Sequence, residues 1–176
     1  MKDSYKGLLS LIAIIVSAYV AITLPISEGI PFTAQSLVIF IVAGLLRPRL
    51  YFLVIIAYLL LGSVGAPVFA EGSSGWEKLM GGSGGFLYGF LFSGWVISQL
   101  SHSGSQNLVR ILVIMMVGTI VLFTFGVGHL TVKFGFEKAL DYGFHPFWKM
   151  GLVKAALAGI VVYGVRQWAP RGPIQT

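Results

Sequence analysis

Residues 33–64 read TAQSLVIFIVAGLLRPRLYFLVIIAYLLLGSV. Two apolar runs, 33–46 and 50–64, are separated only by Arg47-Pro48-Arg49. Proline has no N–H to give and its ring clashes with the preceding turn, so it ends one helix and opens the next. The stretch is therefore a tight helical hairpin whose arms carry almost no polar side chain to turn toward water. Outward from it, four more apolar segments follow the same rule, at 8–24, 84–100, 108–127 and 147–168. A helix crossing the hydrocarbon needs about 20 mostly apolar residues, within roughly 17–25. The expectation is an all-α integral membrane protein with six transmembrane helices in one domain, residues 1–176.

Composition agrees. Of 176 residues 56% are hydrophobic and only 10% charged, where a soluble domain carries about 25% charged residues. Eighteen charged side chains cannot clothe a water-facing surface. The formal charge of +6 comes from scattered basic residues, with no stripe or patch for a nucleic acid. Cysteine is absent, which removes disulfides, thiolate nucleophiles and Cys-based metal sites. The basic start (Lys2, Lys6) is not followed by a small-residue cleavage site before Pro25, so the first segment reads as a helix that stays rather than a cleaved signal.

Lys and Arg set the orientation. With six spans, one side holds Lys2, Lys6, Arg47, Arg49, Arg110, Arg166 and Arg171 against Asp3 alone. The rest, Lys78, Lys133, Lys138, Lys149 and Lys154, is balanced by Glu28, Glu71, Glu77, Glu137 and Asp141. The whole excess lies on one side, so both termini are expected in the cytoplasm. Three loops then face out: 25–35, the glycine-rich 65–85 (GAPVFAEGSSGWEKLMGGSGG), and 128–146 with His129, Glu137, Asp141 and His145. Glycine-rich backbone near membrane depth is tolerated only where protein buries it or a cavity borders it. A lid of loops over a ligand site between helices is expected.

Four motifs, PFTAQSLVIFIVAGLLRPR (31–49), GAPVFA (65–70), GGSGGFLYGF (81–90) and PFWKMGLVKAALA (146–158), occur in this order. Together they resemble BioY, the biotin-binding S component of energy-coupling-factor (ECF) transporters, over about 130 of the 176 residues. The resemblance implies the ECF S-component fold, a bacterial cytoplasmic-membrane location, high-affinity biotin capture and uptake, and partnership with the T-protein and ATPase subunits of an energising module. Alternatives are an S component for another vitamin, a solitary vitamin transporter, and a membrane scaffold without its own ligand. No nucleotide-binding motif occurs, so energy must come from a partner or a gradient.

Lys154 lies inside the last span, where an ammonium costs about 2.5–3.5 kcal/mol unless it faces a cavity or partner. Snorkelling to the interface is the competing role. The resemblance places Lys154 in the biotin pocket, donating to the ureido oxygen or the carboxylate. BioY proteins commonly carry an aspartate three residues before this lysine; here Gly151 stands at that position. Gly151, Ala155 and Gly159 also form a small-residue ladder that suits close helix packing.

Glu71, in the glycine-rich loop, can accept two N–H bonds or pair with Lys154; a solvated carboxylate is the alternative. Gln35 both donates and accepts, which suits an amide-like head group. Thr33 either joins it or caps the helix. Ser83, Gly84, Gly85 and Phe86 allow close backbone approach to a ligand, although Gly85, Gly89 and Ser93 also make a packing ladder. Phe69, Trp76, Phe86, Tyr88 and Trp148 are aromatic candidates for packing a ligand's body, with interfacial anchoring as the alternative. Ala13, Ser17 and Ala21 form a further ladder, which the resemblance assigns to contact with the T-protein. His129 and His145 have no partners at metal-ligand spacing, and no nucleophile–base pair is found. Neither a metal, a cofactor other than transported biotin, nor an enzymatic activity is expected.

Overall fold

The computed structural model describes residues 2–23, 30–104 and 107–168. Most of the first outer loop with Glu28, and the C-terminal Arg171, lie outside the described residues. Helix α1 (Lys2–Tyr19) leads into a short antiparallel ribbon of β1 (Ala21–Thr23) and β2 (Pro31–Thr33), in the register Ala21↔Thr33, Ile22↔Phe32, Thr23↔Pro31. The hairpin follows as α2 (Gln35–Leu45) and α3 (Pro48–Ser63). Pro48 is the first residue of α3, where its missing N–H costs nothing. After a single turn at Ala70–Gly72 come the short α4 (Trp76–Met80), then α5 (Gly84–Ser101) and α6 (Leu108–Phe134). The chain ends on α7 (Phe136–Ala139), a wide turn at Leu140–Phe144, and α8 (Trp148–Trp168).

Four helices close a ring, α2 against α5, α5 against α6, α6 against α8, and α8 back against α2, while α1 packs outside on α2 and α3. Glycines set the ring's closeness. A Cβ on Gly89 of α5 would stand 3.1 Å from the Leu122 carbonyl oxygen of α6, and one on Gly159 of α8 would stand 2.8 Å from the Leu112 side chain. Small residues let helices approach this far, and dispersion between the surfaces then holds them. At the end of the ring remote from the ribbon, the Arg166 guanidinium donates to the Ser101 carbonyl at 2.6 Å and to the Gly44 carbonyl. It thereby satisfies carbonyls that the ends of α5 and α2 leave without intrahelical partners.

Several sequence expectations change. The protein is mostly helical rather than all-α, because β1 stands at the end of the expected first span and β2 pairs with it from what was expected as open loop. α1 ends at Tyr19, so Ala21 is on a strand, Ser17 is buried with its Oγ donating to the Ile14 carbonyl at 2.7 Å, and Ala13 is exposed. The ladder Ala13, Ser17, Ala21 is thus not one outward helical stripe. α6 runs seven residues past the expected end at Val127, taking in the first third of the third outer loop. Of the described helices, α6 and α8 are long and apolar enough to cross a membrane by themselves. The eleven residues of α2 reach only about 17 Å at 1.5 Å per residue, short of the roughly 30 Å of hydrocarbon. α1 carries Lys2, Asp3 and Lys6, and α5 is diluted by Gly, Ser and Gln.

Candidate functional site

The ring encloses a chamber roofed by the ribbon and by the 69–83 segment. The space it bounds, counting the part open to solvent at its mouth, is about 970 Å³. α2 contributes Gln35, Ser36 and Phe40, α5 Phe86, Leu87 and Phe90, α6 Thr119, Leu122 and Phe123, and α8 Gly151 and Lys154. Ile30, Pro31, Phe32, Thr33, Phe69, Ala70, Glu71, Ser73, Lys78 and Ser83 complete it from the roof. The deeper wall, from Phe40, Phe90 and Leu122, is apolar apart from Thr119, whose hydroxyl donates to the Met115 carbonyl at 2.9 Å, and the other polar groups stand near the ribbon at the outer ends of the helices.

Lys154 is the centre of that polar rim. Its Nζ donates to the Thr33 carbonyl at 2.6 Å and approaches Ser36 Oγ at 3.4 Å. The Phe32 ring lies 4.0 Å from Nζ, and Phe32 in turn stacks on Phe147 at 5.9 Å. An ammonium over an aromatic face is attracted by the ring quadrupole, so the ribbon both shields and holds this charge. No ion pair joins Lys154 to Glu71 among the described residues. Glu71 sits on the roof at φ +58°, the left-handed region that side chains seldom adopt.

Gln35 is almost fully buried, and its Nε2 donates to the Tyr58 hydroxyl. Its backbone N–H donates to Thr33 Oγ1 at 3.3 Å, so Thr33 supplies a cap-like contact as well as chamber wall. Tyr58 meets Phe69 edge-on at 5.4 Å between ring centres. Gly62 leaves the space that the Phe69 ring fills.

Of the residues singled out from sequence, Lys154, Glu71, Gln35, Thr33, Phe69, Ser83, Phe86 and Gly151 converge on the chamber. Gly84, Gly85 and Tyr88 are not on its wall. A Cβ on Gly84 would collide with the Leu79 carbonyl, and one on Gly85 would stand 2.6 Å from the Phe125 carbonyl, so both glycines serve the contact of α5 with its neighbours. Tyr88 points to His129, 6.2 Å between ring centres. Trp76 is 63% exposed and Trp148 stacks on Phe144, both away from the chamber. Gly151 faces Phe123, whose ring edge would stand 2.9 Å from an added Cβ.

Sequence reasoning missed Phe32, Ser36, Phe123 and Phe147. Phe32, Ser36 and Phe147 lie within the four motifs, beside residues that were singled out. Phe123 is four residues after Thr119 on α6, and this helical spacing puts both on one face. Among the described residues no three metal-ligating side chains converge. Chemically, the chamber suits an uncharged or weakly polar body held by aromatic faces, with a head group read by an ammonium, an amide and hydroxyls.

The sequence model described as the BioY family matches residues 2–171. The chain is 35% identical over 162 residues to the biotin transporter BioY2 of Lactococcus lactis subsp. cremoris (strain MG1363), spanning 90% of this chain and 86% of that one. It is 34% identical over 152 residues to the probable biotin transporter BioY of Rickettsia prowazekii (strain Madrid E), spanning 86% and 77%. Its fold superposes on the crystal structure of the S-component for biotin from an ECF-type ABC transporter with a TM-score of 0.81, at 24% identity and over 94% and 91% of the two chains.

Proposed function

The chain belongs to the BioY family, and from that premise we propose that it captures biotin at the outer face of a bacterial cytoplasmic membrane and hands it inward as the S component of an ECF-type transporter. It is a transport protein and not an enzyme. The observation that carries this reading is the roofed chamber, aromatic in its body and edged by Lys154, Gln35, Ser36 and Glu71. Biotin has matching parts: an apolar bicycle and chain, a ureido group that both donates and accepts, and a carboxylate. On binding, Lys154 exchanges its bond to the Thr33 carbonyl for the ureido oxygen or the carboxylate, and Gln35 and Glu71 take ureido N–H groups. Phe69, Phe86 and Phe32 cover the ring system.

In this reading α1, α2, α3, α5, α6 and α8 all cross the membrane as one domain, with both termini cytoplasmic, a placement that the one-sided Lys/Arg excess supports. The shorter α2 and α3 complete their crossings with flanking backbone buried in protein, the setting in which irregular backbone is tolerated at membrane depth. Outward apolar side chains such as Leu9, Val16, Leu53 and Ile120 face lipid. Energy comes from the T-protein and ATPase of an energising module. A specific observation favours a second reading, another vitamin in the same fold: Gly151 brings no carboxylate to the chamber, and Phe123 crowds the place where one would stand.

The test uses bacterial cells that neither make nor import biotin. Expression of the chain with an energising module is expected to restore growth on trace biotin and accumulation of labelled biotin. Growth restored by the chain alone overturns the partner requirement. No accumulation, with the protein present in the membrane, overturns biotin as cargo.

A further inference from the structure

Tyr58 is wholly buried on α3 and is not on the chamber wall, yet it touches two residues that are. Its hydroxyl accepts from Gln35 Nε2, and its ring meets Phe69 edge-on. A primary amide carries a donor end and an acceptor end on one rotatable plane. With Nε2 held by Tyr58, the amide is fixed in place at the chamber wall. Freed from Tyr58, the side chain would turn about its own bonds and no longer stand at one place on the wall. A wall group already held in place gives up less rotamer freedom when a ligand's polar group bonds to it.

We propose that Tyr58 is a positioning residue that holds the Gln35 amide in place at the chamber wall, ready for the polar head group of a ligand. The inference rests on the biotin reading, in which that head group is the ureido. Tyr58 acts without touching the ligand. Its ring also backs Phe69, so one side chain on α3 sets both a polar and an apolar part of the wall.

The test is a double-mutant cycle on the full chain purified in detergent, titrated with biotin, with thermal unfolding of the ligand-free protein read alongside. Tyr58→Phe keeps the ring against Phe69 and removes only the hydroxyl. It is expected to weaken biotin binding about tenfold without a matching fall in unfolding temperature. Combined with Gln35→Ala, it is expected to weaken binding no further than Gln35→Ala alone. Wild-type affinity in Tyr58→Phe, or losses that multiply in the double variant, overturns the inference and leaves the biotin reading intact. A folded wild type that binds no biotin overturns the biotin reading and the inference with it. If Tyr58→Phe does not fold, hydrogen exchange at the Gln35 side-chain amide of the ligand-free wild type decides the matter. Slow exchange is expected, and exchange at the rate of a free amide overturns the lock.

Discussion

At the residue scale, the chamber depends on side chains that are missing as much as on those present. Gly62 has no side chain because the Phe69 ring occupies the space above it. Gly62→Ala forces the ring or the backbone to move, at a cost of about 1–3 kcal/mol for overpacking. It is expected to lower the unfolding temperature and, by pushing Phe69 into the chamber, to weaken ligand binding; unchanged values of both would contradict this packing. Phe69 was legible in the sequence as an aromatic beside a turn. Its dependence on Gly62 was not, since seven residues separate them and only the return of the chain over α3 brings them together. Lys154 was legible because an ammonium in an apolar span demands a reason. Its contacts, Phe32 and the Thr33 carbonyl, were hidden because Pro31 and Phe32 read as loop.

At the element scale, the hairpin of α2 and α3 was plain from Arg47-Pro48-Arg49, where the sequence breaks its own apolar pattern. The β1–β2 ribbon was not, because strands of three residues give too few alternations to register as a period. The outer extension of α6 was read as loop on account of His129 and Lys133. Both residues are polar because they hold the roof: His129 Nε2 lies 2.9 Å from the Gly81 carbonyl oxygen, and Lys133 donates to the Met80 carbonyl. The opposite end of the ring is held by Arg166 and, close by, His102 at the end of α5, whose Nδ1 lies 2.9 Å from the Ser98 carbonyl oxygen. Partial burial holds the pKa of His102 below its ordinary 6.5; the Ser98 carbonyl opposes this, and the Arg166 and Arg47 charges add to it. The unfolded chain therefore takes up this proton at a higher pH than the folded one, so stability is present above about pH 6.5 and falls as pH drops below it. Thermal unfolding in detergent is expected to shift to lower temperature over that range, less so in His102→Gln. Identical pH profiles for the two proteins would contradict this origin.

At the scale of the whole molecule, the apolar segments and the charge imbalance made a membrane bundle legible, and four ordered motifs made its family legible. Span lengths were blurred because α2 and α5 begin beneath the roof, where Gln35, Ser36 and Ser83 belong to the chamber and Gly84 and Gly85 to the packing of α5 on its neighbours rather than to lipid-facing helix. The absence of cysteine makes the topology directly measurable. Glu77→Cys on the roof is expected to react with a membrane-impermeant thiol reagent in intact cells, and Ser103→Cys, in the turn after α5, only after the membrane is opened. Both residues are exposed and neither is on the chamber wall. Equal labelling of the two in intact cells would contradict the six-span arrangement.

Whether this bundle holds biotin beneath its ribbon against Lys154 is decided by calorimetric titration of the detergent-purified protein with biotin beside Lys154→Ala. Saturable one-site binding is expected of the wild type and at least a tenfold loss in the variant, with the variant's unfolding temperature no lower, since its burden of a half-buried ammonium is gone. Equal affinity in the two proteins, or no binding by a folded wild type, would contradict that placement of biotin.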